Sequence, residues 1–280
     1  MFWSGRNAMG EEVRRADVDL RTDRAHGARI YDYILGGKDN YAVDRAAAEA
    51  TQQIWPALPV HMRANRAFMH RTARYLATEC GIDQFLDIGT GIPTSPNLHE
   101  VVQEVRPESR IVYTDNDPIV LVHARALMAS TEQGRTAYVA ADLRDPDTIL
   151  DSPEFRETLD PNRPIGLMLI AVAHFIEDDD EALEVVRRIV DVLPSGSYVA
   201  ATIATDDFAP EMLAQVRRTY HEHGETLRWR DLAQTERFFD GLELVDPGIV
   251  QMHKWRPEDD TYQQIPEADI AMYGAIARKP

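Results

Sequence analysis

The chain has 280 residues, 44% of them hydrophobic, and a formal net charge of −17. That length suits one large α/β domain with an appendage or two small domains, and the apolar content excludes wholesale disorder. The acidity argues against a nucleic-acid backbone as partner, and a single cysteine, Cys80, excludes both an internal disulfide framework and a Cys-rich zinc site.

Residues 1–24 are polar and charged without a clear period, which predicts a ragged start. Ala28–Leu35 places Ile30, Tyr33 and Ile34 at helical spacing. Gly36-Gly37-Lys38-Asp39-Asn40 breaks that pattern as a turn. Asp44 is positioned to cap a helix over 45–50, Trp55 to Pro59 reads as a break, and a longer helix is predicted over His61–Thr78, ending near Gly81. Cys80 sits at that helix end as a packing residue.

From there strands and helices alternate. Strands are predicted at Gln84–Ile88, Arg110–Thr114, Ala137–Ala140, Ile165–Val172 and Ser197–Ile203. Helices are predicted at Asn97–Val105, Ile119–Met128, the Asp145–Leu159 region and Asp180–Leu193. A helix from Pro210 to about His223, another over Leu232–Phe239 capped by Asp231, and late strands near Leu242–Val250 and Met272–Ala277 complete the chain. Repeated β-α-β with near-continuous apolar strands means a mostly parallel sheet covered on both faces. The division expected is a helical extension over 1–80 and an α/β domain over 81–280.

Ligands of such sheets bind outside the carboxyl ends of the strands, so the residues after each strand carry the functional reading. The first strand runs into Asp87-Ile88-Gly89-Thr90-Gly91. Two glycines let a backbone turn approach a nucleotide. The third glycine of a dinucleotide fingerprint is Thr94 here. An acid two residues before the first glycine suits a ligand with positive charge near the loop. S-adenosylmethionine carries an ammonium and a sulfonium, whereas a pyrophosphate is only negative, so the motif favours a methyl donor over a nicotinamide cofactor. After strand two comes Asp115-Asn116-Asp117-Pro118. Asp115 is placed to accept both hydroxyls of a ribose, and Asp117 before Pro118 reads as a helix cap. After strand three, Asp142 can accept an adenine amino group with Leu143 against the ring.

The set Asp87, Gly89, Gly91, Asp115 and Asp142 resembles the motifs of class I S-adenosylmethionine-dependent methyltransferases. The wider sequence is similar to one family among them, the S-adenosyl methyltransferases once catalogued only as a domain of unknown function. That resemblance rests on Ala28–Arg45, Asn65–Arg71, Gln84–Thr94 and Tyr113–Pro118, with Asp246-Pro247-Gly248 and Trp255-Arg256-Pro257 also fitting. It implies a Rossmann-like seven-stranded sheet whose last strand is antiparallel, with S-adenosyl-L-methionine as cofactor. Pro93 departs from the general pattern, standing where many class I members have a glycine. It also implies that the end of strand four, Ala171 to Asp178, faces the transferred methyl. His174 there is either a general base or a histidine bonded to backbone. Arg66, on the helix before strand one, is a candidate partner for the methionine carboxylate. The Gly36–Asn40 turn, flanked by Tyr31, Tyr33 and Tyr41, reads either as a cover over the cofactor or as a packing turn. Glu177–Glu181 reads as helix-start charge rather than a metal site.

These residues predict a methyltransferase acting on a small-molecule acceptor, with no nucleic-acid or membrane partner. No apolar run approaches the roughly 20 residues that span a bilayer, the N-terminus lacks the apolar core of a signal peptide, and one cysteine fits a cytoplasmic setting. Leu242–Pro257 either contributes to a homodimer or closes the sheet. The competing readings are a regulatory protein that binds the cofactor without transfer, a nicotinamide-dependent oxidoreductase, and a nucleic-acid methyltransferase.

Overall fold

The computed structural model describes residues 21–127 and 129–280, so the ragged start expected before residue 21 and the helix end expected at Met128 lie outside the described residues. Three helices come first: α1 (Gly27–Ile34), α2 (Ala42–Ile54) and α3 (Leu58–Thr78). The α/β alternation follows as β1 (Gln84–Ile88), α4 (Leu98–Val105), β2 (Arg110–Asp115), α5 (Pro118–Leu127) and β3 (Arg135–Ala140), then α6 (Pro146–Leu150), α7 (Pro153–Thr158), β4 (Gly166–Leu169), α8 (Asp179–Val192) and β5 (Tyr198–Ala204). The chain ends with α9 (Pro210–Glu222), α10 (Leu232–Glu236), β6 (Glu243–Leu244), β7 (Val250–Gln251), α11 (Asp260–Gln263) and β8 (Met272–Arg278).

The strand order is β3-β2-β1-β4-β5-β8-β6, with β7 also on β8. β1 to β5 pair in parallel, and β8 runs antiparallel to β5. The expected Rossmann-like sheet is thus present with one more strand than predicted. The single late strand expected over Leu242–Val250 is two short ones on one edge of β8, because Pro247 has no N–H for the ladder. Leu242–Pro257 thereby closes the sheet.

Side-chain alternation along the central strands covers both faces. Phe85, Ile111, Met168 and Ala200 join a core with α1 to α4 and α9, while Leu86, Val112, Leu167, Leu169 and Val199 join another with α6, α7 and α8. The three N-terminal helices therefore share one apolar cluster with the sheet.

Three boundaries differ from the sequence reading for physical reasons. Helix α2 starts at Ala42 because Asp44 lies inside its first turn and accepts from the Tyr41 N–H at 2.8 Å, rather than standing before the helix. Helix α3 starts at Leu58 because Pro59 falls in its first turn, where a missing N–H costs nothing. The expected helix over 145–159 is split: Ser152 caps α7 by accepting from the Phe155 N–H at 3.1 Å, and Pro153 opens it.

Candidate active site

A cavity of about 390 Å³ opens at the carboxyl ends of β1 to β5, inside the range of small-molecule sites. Asp87, Gly89, Thr90, Gly91, Asp115, Asn116, Asp142, Leu143, Ala171, His174 and Arg66 all line it. The sheet brings together every site residue read from the sequence. What each one does there is less uniform.

The glycine loop is held from within. The N–H groups of Gly89 and Thr90 both donate to the Thr114 carbonyl, at 2.8 and 3.1 Å, and the Gly91 N–H donates to Asp115 Oδ2 at 2.8 Å. Those three N–H groups are spent on β2, not held out for a ligand. Gly89 has φ +77, and an added Cβ would lie 2.5 Å from Val172 Cγ2, so the residue is required by the β4 side of the crevice. Gly91 has φ +68 with open space around its missing side chain, so only its backbone conformation asks for glycine. Past Gly91 the turn around Pro93 is tied down by Ile92, packed against Ile119 and Val120. Asn97 Oδ1 accepts from the Thr94 N–H at 3.0 Å. Arg66 donates to the Thr94 carbonyl and, at 2.8 Å, to the Pro96 carbonyl.

The four acidic residues differ in environment. Asp87 is buried, and burial pushes its carboxyl up to about 7, with Asp115 adding to the rise and the Thr90 hydroxyl and Arg66 opposing it. No ion pair reaches it among the described residues. Asp115 is also raised, chiefly by burial, while the N–H groups of Asp117 and Gly91 oppose that rise. Asp117 is the cap that its proline predicted, accepting from the Ile119 N–H at 3.0 Å. Asp142 is pushed up by burial but, outweighing that, pulled down to about 2 by Arg144 and Asn116. Its Oδ1 accepts from Arg144 N and Nε, and its Oδ2 from Asn116 Nδ2 and Arg144 Nη2, all within 3.0 Å. A carboxylate has about four acceptor sites, so Asp142 has none spare for an adenine amino group unless Arg144 moves.

Strand β4 stops at Leu169, earlier than the predicted Val172, because Ala171 takes a left-handed φ of 56°. Such a conformation costs a non-glycine residue about 1–2 kcal/mol. A buried chain of hydrogen bonds holds it. The Ala171 N–H donates to Thr202 Oγ1 at 2.8 Å, whose hydroxyl donates to Asn65 Oδ1 at 2.9 Å. Asn65 Nδ2 donates to Tyr31 Oη at 3.3 Å, and that hydroxyl donates to the Met62 carbonyl at 2.9 Å. The bend that ends β4 is thus wired through β5 and α3 to α1.

His174 follows the bend, 5% exposed, with Nδ1 buried and unpartnered. Burial, reinforced by Arg230, pushes its imidazole down to about 3. Its neighbour Asp178 caps α8 by accepting from the Glu181 N–H at 2.9 Å, and Asp179 pairs with Arg228 and Arg230, so the acidic run is helix-start charge. The Gly36–Asn40 turn does not line the cavity. Asp32 Oδ2 accepts from Asp39 N and Asn40 Nδ2 at 2.9 and 2.8 Å, which makes it a packed turn. The residues of the N-terminal segment that do line the cavity are Arg21, Arg24, Ala25 to Arg29 and Tyr31. Buried Arg29 fixes that segment, 3.3 Å from Asp44 and 3.6 Å from Asp117.

The sequence reading missed one wall. Leu58, His61, Met62, Asn65 and Met69 recur at helical spacing on α3 and face the cavity. A histidine and an asparagine within an otherwise apolar stripe was the available signal. Trp55, Tyr220, Trp229 and Met272 also line this wall and carried no local signal.

Residues 13–280 match the family described as S-adenosyl methyltransferase. A protein of domain-of-unknown-function family 574 from Streptomyces avermitilis is 59% identical, the match covering 93% of this chain and 100% of that one with a TM-score of 0.91. A candidate methyltransferase from Thermobifida fusca is 38% identical over 93% of this chain and 97% of its own, with a TM-score of 0.85. No curated protein matches the chain. The family match spans nearly the whole sequence and agrees with a strand-end crevice that holds a glycine loop and its acids, so the chain belongs to the S-adenosyl methyltransferase family and is a methyltransferase that uses S-adenosylmethionine.

Proposed function

We propose that the cofactor lies over the ends of β1 to β3 and that a small-molecule acceptor occupies the rest of the same cavity. The observation that carries this is Asp87, a buried carboxylate facing a cavity with no cation paired to it among the described residues. A buried charge calls for a partner, and the cofactor's ammonium is one. The donor set fits the rest of the group. Asp115 keeps acceptor sites beyond its two backbone N–H bonds for a ribose. Leu143, buried beside the cavity, offers an apolar surface to the adenine. Arg66 has five N–H donors and can serve a carboxylate as well as the loop.

The cofactor supplies an electrophilic methyl group for in-line displacement. The chain's own contribution is alignment and exclusion of water, which can account for much of such a rate. His174, held neutral with its pKa near 3, is a poor proton acceptor for a hydroxyl and serves to orient the acceptor. The acceptor is read as small because Arg21, Arg24 and Ala25 to Arg29 line the cavity beside the strand ends and narrow it. In this reading the described part of the N-terminal extension, residues 21–80, acts as a cover on the methyltransferase domain of 81–280. Trypsin cleavage after Arg21 and Arg24 is expected to slow at least fivefold with S-adenosylhomocysteine present; unchanged cleavage rates would remove the cover.

Asp87 gives the reading a pH signature. Its folded pKa of about 7 lies above the ordinary carboxylate value. Its contribution to the stability of the free protein is therefore fully present below about pH 4 and is lost as pH rises through 7. A cationic ligand reverses that loss by favouring the carboxylate. Affinity for S-adenosylhomocysteine, read by calorimetry, is expected to rise about tenfold per pH unit up to pH 7 and then flatten. Asp87→Asn is expected to bind more weakly and without that rise; a rise that persists in Asp87→Asn would disprove the pairing.

A further inference from the structure

The β4 and β5 side of the cavity contains buried polar atoms that the cofactor reading leaves unused. Trp55 and His174 are 3% and 5% exposed, both line the cavity, and Trp55 Nε1 and His174 Nδ1 have no hydrogen-bond partner. Both residues therefore bring polar ring nitrogens with unspent hydrogen-bonding capacity to this wall. His61, 3% exposed, lies on the same wall, its ring 4.7 Å from that of Trp55. The Ala271 N–H donates to His61 Nδ1 at 3.3 Å. The imidazole therefore carries its proton on Nε2, the one ring nitrogen left for a ligand.

The surroundings of these groups define the ligand's chemistry. Tyr220, Trp229, Met62 and Met272 supply aromatic and apolar walls. Burial holds both His61 and His174 neutral at working pH, each pushed down to about 3, with His174 and His253 acting on His61 and Arg230 acting on His174. Two of the charges at the cavity's edge are turned to other groups: Glu225 to the Gly27 N–H, His26 and Arg29, and Arg29 to Asp44 and Asp117. A charged ligand entering here would lose its hydration without gaining a counter-ion.

We propose that this half of the cavity binds an uncharged, planar aromatic acceptor bearing a hydroxyl, held between the aromatic walls and hydrogen-bonded by His61 and His174. A hydroxyl is both acceptor and donor: it accepts a hydrogen bond from the His61 Nε2–H and donates one to the imidazole of His174, with no proton transferred. The proposal rests on the cofactor occupying the other half, over β1 to β3.

The test titrates three probes of one shape, 2-naphthol, 2-naphthoate and 2-naphthyltrimethylammonium, into the full chain saturated with S-adenosylhomocysteine. Calorimetry is expected to show 2-naphthol binding at least tenfold tighter than either charged probe. His61→Asn keeps an oxygen where Nδ1 accepts from Ala271 and removes Nε2, and it is expected to weaken 2-naphthol about tenfold while S-adenosylhomocysteine still binds. A charged probe that binds as well as 2-naphthol, or unchanged 2-naphthol affinity in His61→Asn, would overturn the proposal. Should His61→Asn fail to fold, the ranking of the three probes on the unaltered chain decides. If S-adenosylhomocysteine binds and 2-naphthol does not, this inference alone falls. If S-adenosylhomocysteine itself does not bind, the cofactor reading falls and takes the inference with it.

Discussion

Asp115→Ala is expected to weaken S-adenosylmethionine and S-adenosylhomocysteine by at least a hundredfold in calorimetric titration. Two effects add. The carboxylate is the proposed acceptor for the ribose hydroxyls, and hydrogen bonds to a charged group contribute about 1.5–3 kcal/mol each. The same carboxylate also holds the loop: Oδ2 accepts from the Gly91 N–H at 2.8 Å and Oδ1 from the Asp117 N–H at 2.9 Å. With the side chain gone, the Gly91 turn loses its tie to β2 and the start of α5 loses its brace. The free protein should lose about 1–3 kcal/mol for those N–H groups, measurable by denaturant unfolding. Asp115→Asn retains one acceptor oxygen and should fall between the two. Affinity within threefold of the unaltered chain in Asp115→Ala would mean that the ribose is held elsewhere.

Gly89→Ala should be the most damaging small substitution in the crevice. A methyl group at φ +77 costs about 1–2 kcal/mol by conformation alone. It also meets Val172 Cγ2 at 2.5 Å and Cβ at 2.7 Å, and overpacking of this kind costs about 1–3 kcal/mol. The expected destabilisation is about 2–5 kcal/mol by denaturant unfolding, with loss of cofactor affinity because β1 and β4 are pushed apart at the switch point. The double variant Gly89→Ala with Val172→Ala separates the causes. It should recover the packing part and leave the conformational part. If the double variant is no more stable than Gly89→Ala, the contact with Val172 is not the reason for glycine here. Gly91→Ala, with nothing within 4 Å of its added Cβ, should show the conformational cost alone.

Much of the architecture follows from local pattern. β1 and β2 read as apolar runs, and Asp231, Asn97 and Asp178 sit at helix starts with the partners that capping requires. The strand-end acids could be found because a parallel sheet places all its carboxyl ends on one side, so position in the chain is enough to gather them. The elements that misled share one cause, that a local signal was read without its tertiary partner. Asp44 looks like a cap in sequence, yet it is buried in the first turn because Arg29 and the His26 N–H need it there. Of the two readings of the Gly36–Asn40 turn, a cover and a packing turn, the bonds to the Asp32 carboxylate select the packing turn. Asp142 looks free for adenine, and Arg144, two residues on, occupies it.

Local pattern was enough for the fold class and the crevice and favoured the cofactor that the family resemblance implied, since periodicity, strand-end chemistry and a glycine turn all act over a few residues. Packing alone settles which face of α3 lines the cavity, that His61 and Trp55 share that cavity with the acids, and that Ala171 is bent by a hydrogen-bond chain reaching back to Tyr31. The last of these joins residues more than a hundred positions apart. Their identity is set by burial and by the need of each buried polar group for a partner, and neither exists until the sheet and its helices have packed.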